Sequence, residues 1–216
     1  TYQTMKHFLT GLLFILVCTV SFGQEAYFSV GRNFTTYDYT NSFGDSNLNV
    51  QNSSGASYEV GYAIKINTKL GFALGVTLNQ FNATGGDFVN NYSWETNYMG
   101  AQGVFKLNFF KGDSGRWNYK NTKFALSLNA GLNLNHIIDG QQKINGQTFD
   151  LTNNDEFKGF YAQPLIGLDI RCQITNDIAL GIGYHYSKNL GISNSASQKL
   201  NFINNQLQFN LIISLY

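Results

Sequence analysis

The sequence predicts an all-β protein, a single eight-stranded antiparallel up-and-down transmembrane β-barrel. Three observations carry this. Period-two alternation of apolar residues recurs in eight segments after residue 24. The alternate positions hold small, mostly uncharged residues. Charged residues are only 12% of 216, about half the usual share of about 25%, whereas aromatics reach 15%. The formal net charge of +1 leaves no basic surplus to meet phosphates, which excludes a nucleic-acid binder. The apolar and aromatic content excludes a disordered chain.

The first segment is a targeting sequence. Met5-Lys6-His7 is a short positive start, Phe8 to Val20 is apolar, and Ser21-Phe22-Gly23 offers small residues before a cut at Gln24. The apolar run is shorter than the about 20 residues that span a bilayer as a helix. Ile15-Leu16-Val17 lacks the small residue that precedes a lipidated cysteine, so Cys18 is not a lipid anchor. Residues 1–23 are therefore expected to be a signal peptide with upstream residues Thr1 to Thr4, and residues 24–216 a barrel domain. Cys172 is the single thiol of that domain, so no internal disulfide can form.

Each strand follows from its alternation. In 27–39, Phe28 and Val30 share a face with Arg32, which calls for a bulge or an early end to the membrane span. In 58–66, Tyr58, Val60, Tyr62, Ile64 and Ile66 alternate with Glu59, Gly61, Ala63 and Lys65. In 70–79, Leu70, Phe72, Leu74, Val76 and Leu78 alternate with Gly71, Ala73, Gly75, Thr77 and Asn79. In 92–109, Met99, Ala101, Phe105, Leu107 and Phe109 oppose Gly100, Gln102, Val104 and Lys106. Residues 124–134 set Leu126, Leu128, Leu132 and Leu134 against Ser127, Asn129, Gly131 and Asn133. In 157–173, Phe160, Pro164, Ile166, Leu168 and Ile170 point outward, and Tyr161, Gln163, Asp169 and Arg171 inward. Pro164 has no N–H and belongs at a bulge or high in its strand. Residues 178–186 and 206–215 repeat the pattern, with Ile212 an exception.

Asn67–Lys69 and Thr175–Asp177 are tight turns, and Phe110–Thr122 is a medium connection. Thr40–Ala56, Asn82–Asn91, His136–Glu156 and Lys188–Lys199 read as longer polar loops. Short connections on one rim and long ones on the other suit a membrane barrel. The face holding Gly, Ser, Thr, Asn and Gln suits a crowded lumen, and the apolar face then meets lipid. Aromatic girdles are expected, from Tyr58, Trp94, Phe160, Tyr184 and Tyr186 at the long-loop end and from Phe72, Phe109, Phe110, Trp117, Phe124 and Tyr216 at the other.

The signal end Ser21-Phe22-Gly23-Gln24, and the run Gly183-Tyr184-His185-Tyr186-Ser187-Lys188-Asn189-Leu190-Gly191-Ile192 before a polar loop and a closing strand, give the chain a likeness to a known group. It resembles the small outer-membrane β-barrel proteins of the porin-like family with a PorT-type barrel domain, found in Gram-negative bacteria. The resemblance implies the outer membrane as location and the barrel as fold. It implies no single activity.

The lumen is expected to hold a structural charge cluster of Glu59, Lys65, Lys106, Asp169 and Arg171, with Asp169 pairing with Arg171, Lys65 or Lys106. No metal, cofactor or catalytic site is expected: His136, His185 and Cys172 lack ligand spacing. His185-Tyr186-Ser187 resembles the His-x-Ser of outer-membrane lipid A deacylases. No acid follows in Lys188 to Lys199, and the alternation turns both residues inward. They are expected to form a hydrogen-bonded lumen pair. The expected role is therefore structural or interaction-based, with outer-membrane lipids around the barrel and a protein partner at loops 40–56 and 136–156. The rivals are a deacylase-like hydrolase and a narrow channel; a water-filled pore needs about 16 strands.

Overall fold

The computed structural model describes residues 24–40, 50–86, 91–109, 124–152, 157, 159–190 and 199–215. The expected signal peptide lies outside these residues, as do Phe110, Trp117 and Tyr216. The strands are β1 (Gln24–Thr40), β2 (Val50–Lys65), β3 (Leu70–Gly86), β4 (Asn91–Asn108), β5 (Phe124–Ile144), β6 (Gln147–Asp150), β7 (Phe160–Gln173), β8 (Ile178–Lys188) and β9 (Lys199–Leu215). All except β6 form an antiparallel ring. Each pairs with its neighbours in sequence, β5 with β7 across β6, and β1 with β9 from Gln24↔Leu215 to Thr40↔Lys199 closes it. Closure leaves no sheet edge in the ring, which lipid requires because it cannot hydrogen-bond a bare backbone.

The two faces follow the alternation. On β3, Leu74 and Val76 are 54% and 53% exposed, whereas Ala73 and Thr77 on either side of them are buried at 1% and 3%. On β8, Ile178, Leu180, Ile182, Tyr184 and Tyr186 are exposed, and Ala179, Gly181, Gly183 and His185 are buried. The outside is thus apolar and the inside polar, the inverse of a water-soluble barrel. Leu70 to Leu78 is a nine-residue outward apolar stretch, close to the 9–11 residues a tilted strand needs to cross a bilayer.

The exceptions have local causes. β1 keeps one register through Arg32, which pairs with Ala56 and Leu207, so no bulge occurs there. The irregularity lies on the neighbouring strand, where the β2–β3 pairing shifts register between Asn52 and Ser57. Pro164 stands where the β7–β8 ladder is interrupted: pairing is continuous from Leu165↔Ser187 downward and returns in the same register as the isolated bridge Ala162↔Leu190. Ile212 turns inward and packs on a buried cluster with Tyr27, Ala73 and Val104.

Several expected loops are corrected. Strands continue well above the belt. Residues 50–56 of the expected loop 40–56 belong to β2, β3 runs to Gly86, and β4 starts at Asn91. In the expected loop 136–156, residues 136–144 continue β5 and fold back as β6. Asn145 and Gly146 both take positive φ, 50° and 85°, the geometry of a two-residue hairpin turn. These extensions pair polar backbone in water, so no apolar face signals them. A register shift between Asn97 and Tyr98 leaves Ile138 as an extra residue on β5, so Ile138 and Asp139 are both exposed and burial resumes at Gly140. Trp94 is corrected as well. It is partly buried against the upper lumen core and is not part of an outer girdle.

Candidate functional site

The inward positions build three layers inside the ring. At the long-loop end sits an aromatic layer of Tyr37, Phe81, Tyr98, Tyr161 and Phe202, with Leu151 and Phe157 buried among them. Ring centroids are 5.0 Å apart for Tyr37 and Phe202 and 5.4 Å for Phe81 and Tyr98. The Tyr37 hydroxyl donates to the Phe81 carbonyl at 2.9 Å. These side chains pack on one another inside the upper lumen.

Below it lies a layer of amides and hydroxyls. Asn204 Nδ2 donates to Asn33 Oδ1 at 3.2 Å, Asn33 Nδ2 to Asn79 Oδ1 at 3.3 Å, and Ser57 Oγ to Asn79 Oδ1 at 2.7 Å. On the β3–β5 side, Asn133 Nδ2 donates to Thr77 Oγ1 at 3.1 Å over the intervening Gly100 of β4, and Asn135 Nδ2 donates to Gln163 Oε1 on the neighbouring β7 at 3.0 Å. The interior of an eight-stranded barrel is just wide enough for side chains to fill, and Asn, Gln, Ser and Thr both donate and accept there, linking strand to strand around the wall.

The lowest layer carries the charges. Asp169 is the hub: Lys106 Nζ lies 3.4 Å from its Oδ2, and His185 Nε2 lies 3.2 Å from its Oδ1. Arg171 Nη1 donates to both carboxylate oxygens of Glu25 at 2.9 Å. Glu59 Oε1 accepts from the Tyr27 hydroxyl at 2.6 Å and from Gln102 Nε2 at 2.9 Å. Lys106 Nζ also stands 5.4 Å from the Tyr27 ring centroid. Lys65, half-buried at the lower rim, lines the same cavity. Three carboxylates, Glu25, Glu59 and Asp169, thus share the space with three cations, Lys65, Lys106 and Arg171. Balanced, close pairing is what buried charge requires.

Of the five charges expected in the lumen, all point into it, and Asp169 takes Lys106 rather than Arg171 or Lys65. Two partners escaped the sequence reading. Glu25 lies below the first legible alternation, yet it shares the inward parity of Tyr27 and Ser29. The other is His185, which the sequence pairs with Ser187. The structure corrects that pair: His185 Nε2 faces Asp169 and Asn129, and its Nδ1 has no partner. Two glycines make room for the Asp169–His185 contact. A Cβ on Gly183 would strike Asp169 Oδ1, and one on Gly167 would strike the His185 ring.

The charged layer surrounds a cavity of about 60 Å³, enough for a few waters. Ser29 Oγ, Asn129 Oδ1, His185 Nδ1 and Asn210 Oδ1 are buried on residues lining it and have no protein partner. Ordered water satisfies such groups in protein interiors. Chemically the layer can hold charge and water. Among the described residues no three His, Cys, Asp or Glu side chains gather as a metal site. His136 faces outward, with Nδ1 3.0 Å from the Gly159 carbonyl.

No family model matches the chain, and no curated protein matches it. Among solved structures it is similar to the outer membrane protein OprG from Pseudomonas aeruginosa. Identity is 9%, 90% of this chain and 96% of that one are covered, and the TM-score is 0.57. Neisserial surface protein A also matches, at 14% identity over 86% of this chain and 96% of that one, with a TM-score of 0.46. The likeness to OprG is one of fold. Together with the apolar belt and the polar, filled interior, it makes the chain an eight-stranded outer-membrane β-barrel.

Proposed function

We propose that the protein is a non-catalytic outer-membrane barrel whose role is structural or interaction-based, exercised at its upper rim. The observation that supports this best is the filled lumen. An aromatic layer, an amide layer and a charged layer occupy the interior, so the barrel offers no wide route for a solute. The extended strands and the β5–β6 hairpin at the long-loop end supply surface for a protein partner. The described residues 50–56 and 136–152 of the segments 40–56 and 136–156 lie at that end. Membership of the porin-like group with a PorT-type barrel domain is part of this proposal. So is maturation by removal of residues 1–23. Mass spectrometry of protein extracted from membranes is expected to find Gln24 at or next to the N-terminus. Retention of residues 5–23 would reject the signal peptide.

Planar-bilayer recording tests the filled lumen. The expected trace has no large steady conductance, and a porin-like conductance would overturn the reading. The hydrolase alternative rests on His185 and Ser187. Both are buried and inward-facing, so neither reaches an acyl ester in the surrounding lipid. Ser187→Ala is expected to leave folding and membrane lipid composition unchanged. A lipid deacylation present in the parent protein and lost in that variant, with the barrel still folded, would establish the enzyme instead.

A further inference from the structure

Three adjoining strands carry an outward grid at the top of the apolar belt. Register aligns Arg32, Leu207 and Tyr184 in one row, Phe34, Asn205 and Tyr186 in the next, and Thr36, Ile203 and Lys188 in the third. The row beneath, Val30, Phe209 and Ile182, is wholly apolar and exposed. Arg32 and Lys188 therefore occupy opposite corners, with exposed Phe34, Tyr184 and Tyr186 between them. The Tyr184 hydroxyl donates to Asn205 Oδ1 at 2.6 Å, which fixes that ring on the grid.

Charge is unevenly spread around the rim. On the β4–β5 side, Glu95 is paired with Lys143 at 3.2 Å, and Asp139 accepts from Asn97 at 3.1 Å. Arg32 and Lys188 enter no ion pair among the described residues. The two grid cations can therefore take an anion, whereas on the β4–β5 side Lys143 is already engaged by Glu95. Strand geometry sets the two cations about 14 Å apart along the strands and about 10 Å across them, too far for both to close on one phosphate. Cations meet phosphate oxygens. Aromatic faces, apolar in the middle and polar at one end, settle at headgroup level and can stack on a sugar ring.

We infer that this grid binds a phosphorylated glycolipid of the outer leaflet, with Arg32 and Lys188 on separate phosphates and the aromatic rings against the saccharide. The inference rests on the outer-membrane reading above, with the long-loop end outward.

The test uses the folded protein. Insertion into phosphatidylcholine vesicles, followed by heat-modifiable gel mobility, comes first; failure to insert would reject the membrane reading and this site with it. Native mass spectrometry in neutral detergent then measures retention of a diphosphorylated disaccharide glycolipid. The double variant Arg32→Gln/Lys188→Gln is expected to lower retention at least about five-fold, because two charge-assisted contacts are lost. Each single variant is expected to fall between. Lys143→Gln, on the opposite side, is expected to leave retention unchanged. Equal retention by the double variant, an equal loss in Lys143→Gln, or undiminished binding of the dephosphorylated glycolipid would overturn the assignment.

Discussion

Asp169→Ala is expected to destabilise the folded barrel by about 3 kcal/mol or more, within the range for breaking a buried charge pair. The carboxylate lies between Lys106 at 3.4 Å and His185 at 3.2 Å, and its side chain is 9% exposed. Removing it leaves the ammonium group without its counter-charge in a crowded lumen. Lys106 keeps 27% of its side chain exposed, which places the expected loss at the lower end of that range. Glu95→Ala is the control. Its partner Lys143 is 46% exposed and Glu95 itself 55%, so the pair contributes at most about 1 kcal/mol. Urea titration of folding into lipid vesicles measures both. Equal losses would mean that the lower lumen is open to bulk water and that the charges there are solvated singly.

Leu74→Arg is expected to cost about 2–4 kcal/mol, the penalty for a cation on the lipid face near the bilayer midplane. Leu74 sits in the middle of the outward stretch Leu70 to Leu78 and is flanked outward by Phe72 and Val76. The contrasting change is Thr77→Ser on the inner face. It keeps the hydroxyl that accepts from Asn133 and removes one methyl, worth about 0.8 kcal/mol. The same vesicle-folding titration separates the two. A costly serine beside a harmless arginine would mean that the faces are reversed.

The membrane part of the fold was legible because lipid imposes a strict alternation. Every outward residue from Leu70 to Leu78 must be apolar, and a slip of one residue would expose the lumen face. Above the belt that constraint disappears. Residues 50–56 and 136–144 are polar on the outside, so they read as loop although they are paired strand. The Asn145-Gly146 turn is a legible hairpin signal inside the segment expected to be loop. Trp94 was misplaced because its short polar surroundings carry no face of their own, and its packing on Tyr37 is a contact across the lumen. The same limit governs the charged layer. Alternation tells which side chains point inward, and it placed Lys106 and Asp169 together in the lumen. It does not tell which strand lies opposite which at a given height. Arg171 meets Glu25 although 146 residues separate them, and His185 meets Asp169 rather than its sequence neighbour Ser187.

The barrel is inverted, apolar outside and filled within. Oxygen accessibility of single spin labels along β3 in lipid vesicles tests it most directly. Labels replace residues 72 to 77 one at a time in a chain with Cys172→Ser, and heat-modifiable mobility confirms that each variant is folded. High oxygen collision rates are expected at 72, 74 and 76 and low rates at 73, 75 and 77. A profile without period two, or one with its maxima at 73, 75 and 77, would contradict the account.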